Sequence, residues 1–246
     1  MNYGNWVSKK IIYSCIILGI VLLASTILFW PLAILSIACF GIAAYFTYAR
    51  YLFSPNGRNV QNQIWDLMVS GLDWDGEGKV LDIGCGNGAL TVKLARRFPA
   101  AQVTGIDFWG ERWDYSRSRC EANANAEGVG NRVVFQKASA SRLPFEDGYF
   151  DAAVSNLCFH EVADTRDKRE VVREALRVVK KGGVFVFQDL FLLKQTYGDI
   201  DEFVRNIKSW GITRVELMET RSASFIPTAL KLPFMVGRIS IIKGEK

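Results

Sequence analysis

One histidine, His160, serves the whole 246-residue chain. Five cysteines accompany it, Cys15, Cys39, Cys85, Cys120 and Cys158, and no two stand at a CxxC spacing. The donor set of a zinc site is therefore missing, and no metal is expected. An odd, scattered set also gives no disulfide framework and suits a reducing compartment. Acidic residues are absent from the first 50 positions, where Lys9, Lys10 and Arg50 are the only charges. Beyond them bases and acids nearly balance, leaving about +2 of the chain's formal +5. Bulk positive charge of the kind that binds nucleic acid is thus excluded. No internal repeat or low-complexity tract interrupts the chain, and nothing in it sets an oligomeric state.

What the N-terminus has instead is two long apolar runs, from Ile11 to Trp30 and from Leu32 to Tyr48. A helix of about 20 residues matches the roughly 30 Å hydrocarbon core of a bilayer, and Pro31 falls where a tight turn would join two such helices. Trp30 would sit at one interface, with Tyr45, Tyr48 and Tyr51 near the other. Lys9 and Lys10 precede the first run, and Arg50 and Arg58 follow the second. The positive ends put both termini on the cytoplasmic side. A signal peptide is a poorer account, because its apolar region runs about 7–15 residues. A soluble helix pair would need a polar stripe that neither run has. Residues 1–53 are therefore expected to be a membrane anchor, with spans at about 11–30 and 32–48. An integral membrane protein with a cytoplasmic catalytic domain follows.

Ser54-Pro55-Asn56-Gly57 is a breaker cluster, and residues 54–246 read as one further domain. Val60–Leu72 is an amphipathic helix. Short apolar runs then alternate with helical stretches: Lys79–Ile83, Gln102–Asp107, Arg132–Lys137, Phe150–Ser155 and Gly183–Asp189. That alternation predicts an α/β fold, a doubly wound, mostly parallel sheet with helices on both faces. Asp164 is placed to cap the helix before the fifth strand, whose buried stripe runs from Val171 to Val179. After a polar helix from Tyr197 to Lys208, Ile212–Met218 and Val236–Ile242 form an antiparallel pair at the sheet edge. The total is seven strands.

The most informative stretch is Val80-Leu81-Asp82-Ile83-Gly84-Cys85-Gly86-Asn87-Gly88, a buried strand ending in a glycine-rich turn that opens a helix. Glycines there let backbone approach a ligand closely and leave amides free at the helix start. Gly84-x-Gly86-x-x-Ala89 formally satisfies a dinucleotide fingerprint as well. Two acids separate the alternatives. Asp82, two residues before the first glycine, would repel a pyrophosphate and favour a ligand ammonium. Asp107 ends the second strand, where an acid accepts both ribose hydroxyls. No Tyr-x-x-x-Lys pair is present, which removes the short-chain dehydrogenase alternative.

From about residue 60 to 190 the chain resembles the class I S-adenosylmethionine methyltransferases, especially the ubiquinone/menaquinone-biosynthesis branch. Val80–Gly88 looks like that family's first motif and Asp107 like its ribose acid. Ser141-Arg142-Leu143-Pro144-Phe145 with Gly148-Tyr149-Phe150-Asp151 looks like its loop into the fourth strand. Glu174 through Gly183 looks like its helix before the fifth. The resemblance implies S-adenosylmethionine as cofactor, with Asp82, Gly84, Cys85, Gly86 and Gly88 at the methionine end. Phe108 would pack on the adenine, and Asn156 would lie near the sulfonium. Where the family has an acid after the third strand, this chain has Ser139, followed by Ala140, and a hydroxyl accepts a hydrogen bond more weakly.

His160 follows the fourth strand, where strand ends meet the ligand crevice. It is the candidate general base for an acceptor that must lose a proton. Membrane tethering points to a small, lipophilic acceptor. A soluble acceptor, or a cofactor-binding membrane adaptor without catalysis, are the alternatives. The apolar connection at residues 225–234, with Lys231 its only charge, is expected either to cap the core or to dip into the membrane interface.

Overall fold

The computed structural model describes residues 2–110 and 115–246. Two compact units emerge, one of Asn5–Gln63 and one of Met1–Gly4 with Ile64–Lys246. The smaller unit runs past the Ser54-Pro55-Asn56-Gly57 cluster to Gln63.

The smaller unit is a helical hairpin, Lys9–Ser25 (α1) and Leu32–Phe53 (α2). The helices meet through small residues: the Ser36 hydroxyl donates to the Gly19 carbonyl at 2.8 Å, and a Cβ at Gly19 would lie 3.0 Å from the Phe40 ring. Close approach of this kind is how helices associate where no water drives them together. Polar ties gather at the base of the hairpin, where Asn5 Nδ2 donates to the Arg50 carbonyl at 3.1 Å and Arg50 donates to the Val7 carbonyl.

The expected spans need correction. Among the described residues, only α2 is long and apolar enough to cross a membrane by length and composition. It continues to Phe53 because nothing interrupts it before Ser54. The first helix has 17 residues, about 25 Å. It stops at Ser25 because the Thr26 amide and hydroxyl both bond back to the Leu23 carbonyl. Residues 26–31 form the turn, wider than the expected Trp30–Pro31 corner, and Ile27 and Leu28 in it are about nine-tenths exposed.

The larger unit is built on seven strands: Lys79–Ile83 (β1), Gln102–Asp107 (β2), Val133–Lys137 (β3), Phe150–Asn156 (β4), Val179–Asp189 (β5), Arg214–Glu219 (β6) and Ser240–Glu245 (β7). Their order is β3-β2-β1-β4-β5-β7-β6. The first five are parallel, and β7 runs antiparallel between β5 and β6. Val80, Leu81 and Ile83 of β1 are fully buried, as a central parallel strand covered on both faces requires. The strand order reverses between β1 and β4, which opens a crevice at their carboxyl ends.

Helices Val60–Ser70 (α3), Ala89–Arg97 (α4), Arg117–Ala126 (α5), Lys168–Arg177 (α6), the single turn Lys194–Tyr197 (α7) and Ile200–Ser209 (α8) complete the fold. Several boundaries differ from expectation: α3 ends at Ser70 and not Leu72, the polar helix starts at Ile200 and not Tyr197, and β6 starts at Arg214 and not Ile212. Asp167, not Asp164, caps α6 by accepting from the Arg169 amide, while the Asp164 carboxylate accepts hydrogen bonds from the Ser139 and Ser141 hydroxyls. Val178 and Val179 belong to the cap and to β5, since α6 ends at Arg177. The last strand starts at Ser240 because residues 230–239 close on themselves first, through Val236 to Leu230 and Gly237 to Leu232 backbone bonds. In that connection Ile226 and Leu230 are core, whereas Phe234 is 64% exposed.

Candidate active site

The turn from β1 into α4 is set by its glycines. Gly84, Gly86 and Gly88 all adopt positive φ, between +57° and +80°, where a Cβ is strained. At Gly84 a Cβ would also fall 2.4 Å from Cys158, which follows β4. The loop therefore packs directly against the end of β4. The Gly84 and Cys85 amides both donate to the Ile106 carbonyl of β2, at 2.8 and 2.9 Å. Burial pushes the Cys85 and Cys158 thiols well up, which marks them as packing groups and not nucleophiles.

Asp82 lies beneath this loop at 1% exposure, with the Thr91 hydroxyl of α4 donating to it at 2.5 Å. The sequence suggested a carboxylate facing a ligand; the structure gives one under the loop floor. Burial, reinforced by the neighbouring Asp107 charge and opposed by the Thr91 hydrogen bond, lifts its pKa to about 7. Asp107 stands at the end of β2 as expected. Its Oδ2 accepts the Gly86 amide at 2.8 Å and its Oδ1 the Trp109 amide at 2.7 Å. The Phe108 amide also acts on this carboxylate, and the lone-pair capacity that remains is open to a ligand hydroxyl. Trp109, at φ +44°, returns its indole N–H to the Gly86 carbonyl at 2.9 Å.

Two polar atoms beside the loop are buried without a partner: Asn87 Nδ2 and Asn156 Oδ1. Buried groups of this kind are costly unless something completes them. One is a donor and the other an acceptor, the pair that an amino-acid carboxylate and ammonium would satisfy. Asn156 was expected from the sequence; Asn87 was not. The backbone beside Asn156 is strained as well, Leu157 standing at φ +54°. Asn123 of α5 donates to the Asn87 carbonyl at 3.0 Å and to the Asn2 carbonyl at 3.2 Å, so the residues around Asn2 rest over the same loop.

The adenine-side candidates divide. Phe108 is 63% exposed, with the Lys137 ammonium over its ring 5.2 Å from the centre. The Ser139 hydroxyl is held by Ser141 at 2.8 Å and Asp164 at 2.9 Å. An acid thus reaches this position from the loop before α6, which sequence position alone did not reveal. Ala140 is buried with Leu143 and Phe150 in the core, so its side chain packs inward.

His160 was singled out alone, but it has a partner. Its Nδ1 lies 2.6 Å from Oδ1 of Asp189, the last residue of β5. Glu161 Oε1 stands 3.4 Å from Nε2. Among the described residues no three His, Cys, Asp or Glu side chains form a metal-binding group. A separate cleft of about 280 Å³, lined by Asp73, Arg214, Glu216 and Lys243, holds paired charges and none of these groups.

Residues 81–187 match the family model described as a methyltransferase domain. The chain is 35% identical over 130 residues to the ubiquinone/menaquinone biosynthesis C-methyltransferase UbiE of Desulfotalea psychrophila, covering 52% of this chain and 48% of that one. To the release factor glutamine methyltransferase of Chlorobaculum tepidum it is 30% identical over 178 residues, covering 62% and 57%. The chain thus spans about half the length of the curated relatives it matches. A solved geranyl diphosphate C-methyltransferase from Streptomyces coelicolor A3(2), in complex with Mg2+, geranyl diphosphate and S-adenosyl-L-homocysteine, superposes with a TM-score of 0.57. The match covers 76% of this chain and 80% of that one at 15% identity. The seven-stranded, mostly parallel sheet is the Rossmann-like methyltransferase fold.

Proposed function

We propose that this chain transfers a methyl group from S-adenosylmethionine to a small, lipophilic acceptor while anchored in a membrane by its N-terminal hairpin. The observation that carries the cofactor assignment is a pair of unpartnered buried atoms, the donor Asn87 Nδ2 within the glycine loop and the acceptor Asn156 Oδ1 at the end of β4. Asn87 and Asn156 hold the amino-acid end over the glycine loop, whose Gly84, Cys85, Gly86 and Gly88 amides are taken up in shaping it. The free lone pairs of Asp107 take the ribose hydroxyls, and the exposed Phe108 ring covers the adenine, with Ser139 and the backbone of Ala140 along its edge. Asp82 acts from below, its charge favouring a cationic ligand above the loop. The cofactor supplies a methyl group on a sulfonium, a leaving group that needs no further activation. What remains for the protein is to align the acceptor and exclude water.

Membrane anchoring is supported by the outward faces of the hairpin. Ile17, Leu18, Val21, Ile34 and Ile37 are all more than half exposed, far more apolar surface than a water-facing helix pair presents. The positive residues at both its ends favour cytoplasmic termini and a cytoplasmic catalytic domain. Such an anchor would hold the site beside a pool of membrane-dissolved acceptor.

Calorimetry on the full chain in detergent tests the cofactor half. S-adenosylhomocysteine should bind one to one, and Asn156→Ala should weaken it about tenfold, as the loss of one buried hydrogen bond implies. Tighter binding of NADH than of S-adenosylhomocysteine would remove the assignment.

A further inference from the structure

Helix α5 lacks an apolar stripe, yet it pins a loop residue whose donor is unpartnered. The Asn87 side chain is 3% exposed, and its Oδ1 accepts the amide of Ser116, the cap of α5, at 3.3 Å. A backbone amide must meet oxygen, so the Asn87 amide group cannot be reversed and Nδ2 is the atom left without a partner. Two turns along α5, Asn123 is buried. Its Nδ2 donates to the Asn87 carbonyl at 3.0 Å and to the Asn2 carbonyl at 3.2 Å, and its Oδ1 accepts the Asn2 amide at 3.2 Å. One side chain therefore joins the glycine loop to residues 2–4, which belong to the same compact unit as the sheet.

Residues 2–4 cross the loop as a strap. A Cβ on Gly4, which stands at φ +79°, would lie 3.4 Å from the Tyr115 ring and 3.8 Å from Asn87 Nδ2. The strap backbone thus lies against the free donor. A Cβ on Gly86 would meet the same Tyr115 ring at 3.4 Å, so strap, ring and loop are in one packed group. Tyr3 fastens the strap: its phenol donates to Glu127 Oε1 at 3.4 Å, and its ring meets Trp65 edge-on at 6.2 Å. Burial and the Glu127 charge push the phenol pKa up, so its proton stays available to donate. Arg96 holds the other Glu127 oxygen at 2.7 Å.

We propose that Asn123 is a positioning residue for the cofactor: it clasps the strap over the loop and so keeps Asn87 Nδ2 dry and aimed at the carboxylate of S-adenosylmethionine. This rests on the methyltransferase function proposed above and adds the residues that hold its amino-acid end in place. A donor shut away from water is costly while unpaired, and it bonds an anion more strongly than the same donor in solvent. The clasp is bonded to Asn87, and the strap lies against Asn87. Its effect therefore falls on the amino-acid end of the ligand and not on the nucleoside.

Calorimetry on the full chain in detergent compares S-adenosylhomocysteine with methylthioadenosine, which keeps the nucleoside and thioether but lacks the carboxylate and ammonium. Asn123→Ala should weaken S-adenosylhomocysteine about tenfold or more and methylthioadenosine less than about twofold. Equal weakening of both ligands, as a mere prop for the loop would give, overturns the positioning role, and so does weakening of neither. In an Asn87→Ala background the same change should cost less than about twofold, since the two residues act on one contact. Full additivity would overturn the claim that Asn123 works through Asn87. Tyr3→Ala loosens the strap while sparing Asn123, and serves equally where Asn123→Ala fails to fold. It should weaken S-adenosylhomocysteine about fivefold or more and methylthioadenosine less than about twofold, and unchanged affinity for both overturns the strap. Failure of the wild type to bind S-adenosylhomocysteine would instead strike the proposed function.

Discussion

Asp107 Oδ2 accepts the amide of Gly86 at 2.8 Å, so the acid at the end of β2 and the middle glycine of the loop are a single built unit. One side chain both shapes the loop and offers lone pairs to a ligand. Asp107→Ala should therefore weaken S-adenosylhomocysteine binding about 30- to 150-fold, equivalent to about 2–3 kcal/mol. Asp107→Asn, which still accepts one amide, should lose less. Calorimetry on folded variants checks both, and unchanged affinity in the alanine variant would reject the ribose role.

The buried Asp82 makes a prediction about pH. Its pKa is raised from 3.8 to about 7. A carboxyl raised on folding stabilises the fold in its protonated form. That contribution is whole below the unfolded value and is lost as pH rises through the folded one. Asp82→Asn, which can still accept the Thr91 hydroxyl proton, escapes the loss. Its melting temperature should exceed that of the wild type at pH 8, and the two should converge toward pH 4. A wild type that is the more stable at pH 8 contradicts the burial account.

How far the sequence disclosed this architecture depends on the element. The parallel strands and the glycine loop were legible, because buried β-strands read as unbroken apolar runs and because Gly84, Gly86 and Gly88 have few other uses at that spacing. The helix α5, RSRCEANANA, was not, since only Cys120, Asn123 and Ala124 are buried and no apolar stripe announces it. Asp164 and Asp167 both precede α6, and residue type could not say which would cap it. The depth of Asp82 was hidden because a strand-end position does not tell which way the carboxylate turns. Asp189 was missed for a different reason. Its partnership with His160 exists only once β4 and β5 pair.

The connection before β7 divides between core and surface, and its residues should respond accordingly. Leu230 is fully buried, so Leu230→Ala should cost about 2–5 kcal/mol by thermal or urea unfolding. Leu232 and Phe234 are exposed, and changing both to serine should cost less than about 1 kcal/mol. If this exposed pair meets the bilayer, the double variant should also bind liposomes containing anionic lipid more weakly. Unchanged liposome binding would leave the segment no membrane role.

Labelling of intact cells tests the anchor. A cysteine placed at Leu28, in the turn between α1 and α2, should react with an impermeant thiol reagent, while one near Lys9 or Asn56 should not. The opposite pattern would reverse the orientation and separate the site from cytosolic S-adenosylmethionine.

The most direct test of the central claim follows methyl groups. The purified chain, supplied with methyl-labelled S-adenosylmethionine, is given an organic extract of membranes or, separately, the matching cytosolic extract. The account predicts label entering the organic phase with the membrane extract, in step with S-adenosylhomocysteine formation and at least tenfold above the cytosolic sample. S-adenosylhomocysteine formed only with the cytosolic extract, or with neither by a chain that binds the cofactor, would contradict it.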